Sequence, residues 1–429
     1  MSTTASTRPD PGQTPDGDPG AGGRRGLVLA LATVGFTLNF WAWALLSPLG
    51  PRLKDALGLS ALQQALVVAV PVVVGAVGRI PVGALTDRYG ARVMFPLVSF
   101  ATILPVLYLG LAGTTTYAGL LVGGFFLGIG GTAFAVGVPL VSAWFPPHRR
   151  GLAIGVFGVG MGGTAISALT TVELAASGIS TPFVLTAALL AVYGVVAAVL
   201  LRDAPDRVVP SEPVLRRLAA TLRLPVTWQA SALYAAGFGG YVAFSVYLPT
   251  YFDTAYGLTH AEAANRTAGF VLLAVVMRPV GGWLSDRLHP TRVLLVAFAV
   301  VVVGALVQAA TPALVPLGTV AFVAMAGALG AASGATFALV ALLTPQNRVG
   351  AVTGVVGAAG GLGGFVPPLL MGALYGWFGG YGLGLIGLAV VAAAVLVLDL
   401  HLARQQPAAL DRGEFRAPGP GAGSTELPA

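Results

Sequence analysis

Along most of this chain, polar positions do not alternate with apolar ones; they disappear for a whole span at a time. Continuous apolar runs occupy 27–50, 62–86, 93–112, 116–145, 151–175, 181–202, 227–252, 263–286, 293–311, 314–343, 349–374 and 380–402. A helix of about 20 such residues crosses the roughly 30 Å hydrocarbon layer of a bilayer. The weak two-residue alternation of a membrane barrel is absent. The pattern therefore predicts an all-α membrane protein with twelve transmembrane helices. The longest polar interruption, RDAPDRVVPSEPVLRRLAATLR from Arg202 to Arg223, divides them into six and six. This gives an N-terminal half (27–202), a central cytoplasmic loop (203–226) and a C-terminal half (227–402). Residues 1–26 and 403–429 are rich in Pro, Gly and Asp or Ala and read as disordered cytoplasmic tails. The first of them lacks the apolar core of a signal peptide.

Composition sharpens this picture. Of the 429 residues, 56% are hydrophobic and 9% charged, against roughly 25% charged in soluble domains. The absence of cysteine excludes disulfides, thiol catalysis and cysteine metal sites. The net charge of +7 does not point to nucleic acid, because no soluble domain remains to bind it. Instead, Arg and Lys segregate. One set of loops holds Arg88, Arg92, Arg149, Arg150, Arg287, Arg292, Arg348 and the basic residues of the tails and central loop. The other holds only Arg52, Lys54 and Arg266. By the positive-inside rule both termini are cytoplasmic, in a multi-pass protein of the cell membrane.

The two halves repeat. RIPVGALTDR (Arg79–Arg88) answers RPVGGWLSDR (Arg278–Arg287), and the same offset carries Gly151 onto Gly350, Gly155 onto Gly354 and Arg149 onto Arg348. Two similarly oriented halves imply a pseudo-two-fold axis along the membrane normal, the plan of the major facilitator fold, with a substrate site between the halves. Of 23 basic residues, only Arg79 and Arg278 fall well inside a span. Each precedes its loop aspartate by eight residues, about 12 Å along a helix. No Asp or Glu lies at matching depth in the sequence pattern. Arginines that merely bond backbone carbonyls or snorkel are the bland alternative. The favoured reading is a clamp for an anion, since guanidinium forks match a planar oxyanion. Asp87-Arg88 and Asp286-Arg287, at the water interface, read as gating or structural ties rather than substrate contacts.

GVGMGG (Gly158–Gly163) satisfies G-x-G-x-x-G, but it sits inside an apolar run with no strand before it. It reads as close helix packing, as does GAAGGLGG (Gly357–Gly364). No metal motif, phosphate loop or catalytic triad is present, so neither a cofactor nor an enzymatic activity is expected.

GFFLGIGGTAFAVGVPLVSAWFPPHRRGLAIGVFGVG (Gly124–Gly160) and GFGGYVAFSVYLPTYF (Gly237–Phe252), together with the paired arginines, resemble the nitrate/nitrite porters of the major facilitator superfamily. The resemblance covers nearly all of the chain between the tails. It implies a secondary transporter in which Arg79 and Arg278 hold the anion, with Tyr234, Phe238 and Phe134 beside it. It also implies that Gly158, Gly160, Gly163, Gly357, Gly360 and Gly363 belong to the porters' glycine-rich segments. Those segments usually carry one Asn each; here Met161 and Gly361 stand in those places, which puts selectivity in question. The expected partners are a small anion and the lipid bilayer, with a monomer as the functional unit. A facilitator for an organic carboxylate or a drug, and a non-transporting receptor of the same fold, are the competing readings.

Overall fold

The computed structural model describes residues 19–411, apart from 206, 208, 210 and 211. Among the described residues there are helices and no strands, and twelve helices are long and apolar enough to cross a membrane. They are α1 (Gly23–Gly50), α2 (Leu66–Tyr89), α3 (Ala91–Leu111), α4 (Tyr117–Trp144), α5 (Pro147–Ala176), α6 (Thr181–Leu200), α7 (Pro225–Pro249), α8 (Asn265–Leu288), α9 (Pro290–Ala309), α10 (Leu314–Leu343), α11 (Gln346–Pro367) and α12 (Gly382–Arg404). An even number of spans puts both ends of the bundle's chain on one face. Helices suit hydrocarbon because every backbone polar group is satisfied within the segment.

The repeat seen in the sequence extends to the helix ends. Ser60 and Gln63 form a reciprocal capping box ahead of α2, and Thr259 and Glu262 form the same box ahead of α8. The exposed Glu262 carboxyl is held below its usual range by hydrogen bonds from Thr259. Between α2 and α3 the chain turns at Gly90 with φ of 84°. A side chain here would be strained by that angle and would run into the Asp203 carboxylate. That carboxylate accepts from the backbone N–H groups of Ala91 (2.8 Å) and Arg92 (3.2 Å) at the start of α3.

Three features depart from the sequence reading. Helix begins at Pro19 and continues to Asp411, so it reaches into both segments read as tails; 1–18 and 412–429 lie outside the described residues. The central loop contains a short helix, Val214–Thr221. In addition, α4 and α5 tighten to 3-10 geometry at Gly128–Thr132 and Val159–Gly162. Tightened stretches inside long helices often mark functional positions, and both of these face the central arginines.

The halves meet along two seams, α2 against α11 and α5 against α8. Each seam is built on facing glycines. A Cβ on Gly83 would strike the Gly350 carbonyl oxygen, and one on Gly282 would strike that of Gly151. Small residues permit this backbone approach, which is how helices associate in a bilayer.

Candidate anion site

Arg79 and Arg278 lie in the middle of the bundle, and each is only 2% exposed. Both face the same ring: their guanidinium carbons lie 5.7 and 5.6 Å from the centroid of Phe134. Their supports differ. Arg79 donates through Nε to the Gly131 carbonyl (2.9 Å) and through Nη1 to the Gly357 carbonyl (2.8 Å). Those bonds use two of its five N–H donors, so the carbonyl alternative holds for part of this side chain. Arg278 donates through Nη2 to the Tyr234 hydroxyl (2.5 Å), and its Nη1 lies 2.6 Å from the Met161 sulfur. Because Tyr234 accepts from Arg278, its own hydroxyl hydrogen is directed elsewhere and is available to an acceptor. Among the described residues no carboxylate pairs with either arginine; Asp87 and Asp203 pair instead with Arg217 and Arg207.

The aromatic residues expected at the site are brought together there. Phe134, Tyr234 and Phe238 form a parallel stack, with centroids 6.2 and 4.9 Å apart and planes within 4°. Arg278 lies 5.4 Å from the Phe238 ring centroid. Two further rings were not singled out from the sequence. Phe337 of α10 packs edge-on against both Phe134 and Tyr234, and Phe40 of α1 lies 5.7 Å from the Arg79 guanidinium. In an apolar chain with 20 phenylalanines, neither carries a local signal.

The glycine-rich segments serve these side chains. Gly158 lies under Arg278 and Gly357 under Arg79, so that an added Cβ would come within 2.9 and 3.1 Å of the respective arginine. Gly360 leaves room for the Tyr234 ring, and Gly361 faces Ala76. Gly160 accommodates Phe36, Gly163 the Thr37 backbone and Gly363 the Ala235 backbone. Met161 puts a thioether, a weak acceptor, against Arg278.

The two aspartates sit elsewhere, at the end of the bundle that carries the chain termini, and each crosses a seam. Asp87 of α2 accepts from the N–H groups of Gly350 (2.8 Å) and Ala351 (2.9 Å) at the start of α11. Asp286 of α8 accepts from Gly151 and Leu152 at the start of α5, both at 2.7 Å. A carboxylate at a helix N-terminus is favoured by the unsatisfied N–H groups and the dipole. Arg88 and Arg287 do not join these contacts; they are exposed and lie over Tyr89 and Trp283. Sequence reasoning missed Arg217, which is buried against Asp87.

Twelve spans in two repeating halves, meeting over a buried basic centre, define a transporter of the major facilitator architecture. The chain matches the Major Facilitator Superfamily over residues 32–317 and 254–420. The probable nitrate/nitrite transporter NarK2 of Mycobacterium tuberculosis is 49% identical over 273 residues, 63% of this chain and 69% of that protein. The nitrite extrusion protein of Bacillus subtilis is 35% identical over 387 residues, covering 89% of this chain and 96% of that one. Among solved structures, the human organic anion transporter MFSD10 superposes with a TM-score of 0.73 at 16% identity, over 87% of this chain and 99% of that chain. FucP in the outward conformation gives 0.72 at 18% identity, over 88% and 99%. These two likenesses concern the fold alone. The chain is a member of the major facilitator superfamily, in its nitrate/nitrite porter branch, a family of transporters and not of enzymes.

Proposed function

We propose that this chain carries nitrate and nitrite across the membrane by alternating access, with Arg79 and Arg278 jointly holding the anion. The observation that carries this reading is two buried guanidiniums facing one ring with no carboxylate partner among the described residues. Charges in a membrane interior are expensive, and a small planar anion between the forks pairs with both guanidiniums and lowers the net charge of the site from +2 to +1. Aromatic walls exclude water, which strengthens every charge interaction inside, and ring edges carry partial positive charge. The names of the relatives point to the same substrates. The basic loops favour cytoplasmic termini, and with that orientation Asp87 and Asp286 latch the cytoplasmic end. That every residue of the site comes from one chain supports the monomer as the transporting unit. Anion counterflow tests this: liposomes reconstituted with the protein and loaded with nitrate should accumulate labelled nitrite, and an unlabelled cation or sugar should not compete. Absence of counterflow with either anion overturns the reading.

The latch predicts a kinetic signature. Asp87→Asn should lower the maximal rate of transport several-fold while changing the apparent affinity for nitrate little, because the Asp87 carboxylate touches helix ends and Arg217 and not Arg79 or Arg278. A variant that keeps its rate and loses affinity would contradict it.

A broader small-anion specificity has its own support in Met161. Specificity comes from placed hydrogen bonds whose mismatch leaves groups unpaired, and a thioether offers little of this. Competitors such as formate and chlorate should therefore bind within about tenfold of nitrate, or roughly 1.4 kcal/mol. Met161→Asn should widen that gap in competition uptake. Gly361 is not a useful second position, because its Cβ would fall 2.8 Å from that of Ala76. Hundredfold exclusion of every competitor by the wild type would place selectivity elsewhere.

A further inference from the structure

The segment joining the halves reads as a polar tether, yet its short helix is inverted. In Val214–Thr221, Leu215 is 80% exposed while Arg217 is 1% exposed. Arg217 and Thr221, four residues apart and so on one face, are both buried. The helix leaves Arg216 and Leu215 in the open, half-buries Leu218 and turns Arg217 fully inward. Something inside must compensate the charge, since a buried cation without a partner is strongly unfavourable.

That partner is the latch. A single nitrogen, Nη2 of Arg217, donates to Asp87 Oδ2 at 2.9 Å and to the Asn347 carbonyl at 2.6 Å. Asp87 belongs to the first half and Asn347 to the turn that opens α11 in the second. The same Asp87 carboxylate already accepts from Gly350 and Ala351 across the seam. The arginine therefore bridges both halves from a segment that lies between them. The rest of the linker is tied at both ends: to the second half where Thr227 and Trp228 of α7 donate to the Thr221 and Leu222 carbonyls, both at 2.8 Å, and to the first half at its start. Arg207 donates through Nη2 to the Asp87 backbone carbonyl (2.8 Å), and Asp203 caps the start of α3. The pseudo-equivalent latch has no arginine from the linker: Asp286 takes two backbone N–H groups, and the cation near it, Arg150 of α5, reaches across to the Ala341 carbonyl at 3.4 Å instead of bonding the carboxylate.

We propose that Arg217 is a positioning residue of the transport cycle, a strap that acts through Asp87 to hold the cytoplasmic end closed and makes the two latches unequal; the inference rests on the latch reading of Asp87 given above. When that end opens, Asp87 must leave the start of α11. The linker is held to the first half by Arg207 and Asp203 and to the second through Thr221 and Leu222, so parting the halves breaks one of Arg217's two contacts, that to Asp87 or that to Asn347. Without Arg217 the closed state loses a contact that the open state does not have, so the population shifts toward open.

Distance measurement between paired labels tests this on the full chain. The protein has no cysteine, so Tyr89→Cys and Leu288→Cys, both at exposed positions at the ends of α2 and α8, accept spin labels uniquely. On the otherwise unaltered chain the short separation should dominate. Arg217→Ala should move the majority of molecules to a longer separation, and Arg217→Lys should restore part of the short population. Arg217→Gln, which keeps a donor and most of the length, covers the case in which the alanine variant does not purify as a monodisperse protein; it too should lengthen the separation. Asp87→Asn is the reference for the latch itself. If Asp87→Asn lengthens the separation and neither Arg217→Ala nor Arg217→Gln does, the strap is overturned and the latch stands. If none of them lengthens it, both are overturned.

Discussion

Arg278→Lys is expected to cut nitrate transport roughly ten- to hundredfold at normal levels of protein in the membrane. A hydrogen bond to a charged group contributes about 1.5–3 kcal/mol, and about 1.4 kcal/mol is a factor of ten. Lysine keeps the charge but not the fork. It cannot donate at once to the Tyr234 hydroxyl, as Arg278 does at 2.5 Å, and present two parallel N–H groups to an oxyanion. Arg79→Lys should behave similarly, since Arg79 uses Nε and Nη1 on the Gly131 and Gly357 carbonyls and a single ammonium cannot span both and the anion. Uptake of labelled nitrate into reconstituted liposomes, normalised to protein, reads the effect. Near-normal uptake by both single variants would contradict the clamp.

Filling the seam glycines should be comparably damaging by a different route. Gly83→Val and Gly282→Val each place atoms where the Gly350 and Gly151 carbonyl oxygens now lie, on backbone that cannot swing aside. Overpacking a close contact costs typically 1–3 kcal/mol, and here the cost falls on the closed cytoplasmic state alone. Asp87 and Asp286 then cannot reach the helix starts they latch. Turnover should fall about tenfold or more, given about 1.4 kcal/mol per decade, while nitrate still binds, because a side chain at either glycine meets the facing backbone and not a guanidinium. Transport rate and equilibrium nitrate binding measured on the same preparation separate the two. Loss of binding in step with loss of transport would show that the seam glycines support the site and not the gate.

Much of this architecture was legible in the sequence because the bilayer is a simple solvent. It demands long apolar helices, so the spans appeared as unbroken runs, to within a few residues of the helices observed, apart from the far end of α11. It also makes a buried charge costly, so Arg79 and Arg278 stood out by subtraction. The glycine matches between halves were legible as repeats, and the structure shows what they are for: Gly83 against Gly350, and Gly282 against Gly151. Arg217 was hidden for the opposite reason. It lies in a polar segment where charge is ordinary, and its burial depends on Asp87, 130 positions away. Phe40 and Phe337 were hidden because apolar rings in an apolar chain carry no contrast. Met161 was noticed only through the resemblance; its sulfur resting against Arg278 is a three-dimensional fact that no spacing announced.

Calorimetric titration of the purified full chain with nitrate reads whether one anion is held between Arg79 and Arg278. The wild type should bind one nitrate per chain, nitrite should displace it, and the Arg79→Lys, Arg278→Lys double variant, still monodisperse and helical, should show no binding over the same range. Unchanged stoichiometry and affinity in the double variant would contradict the account.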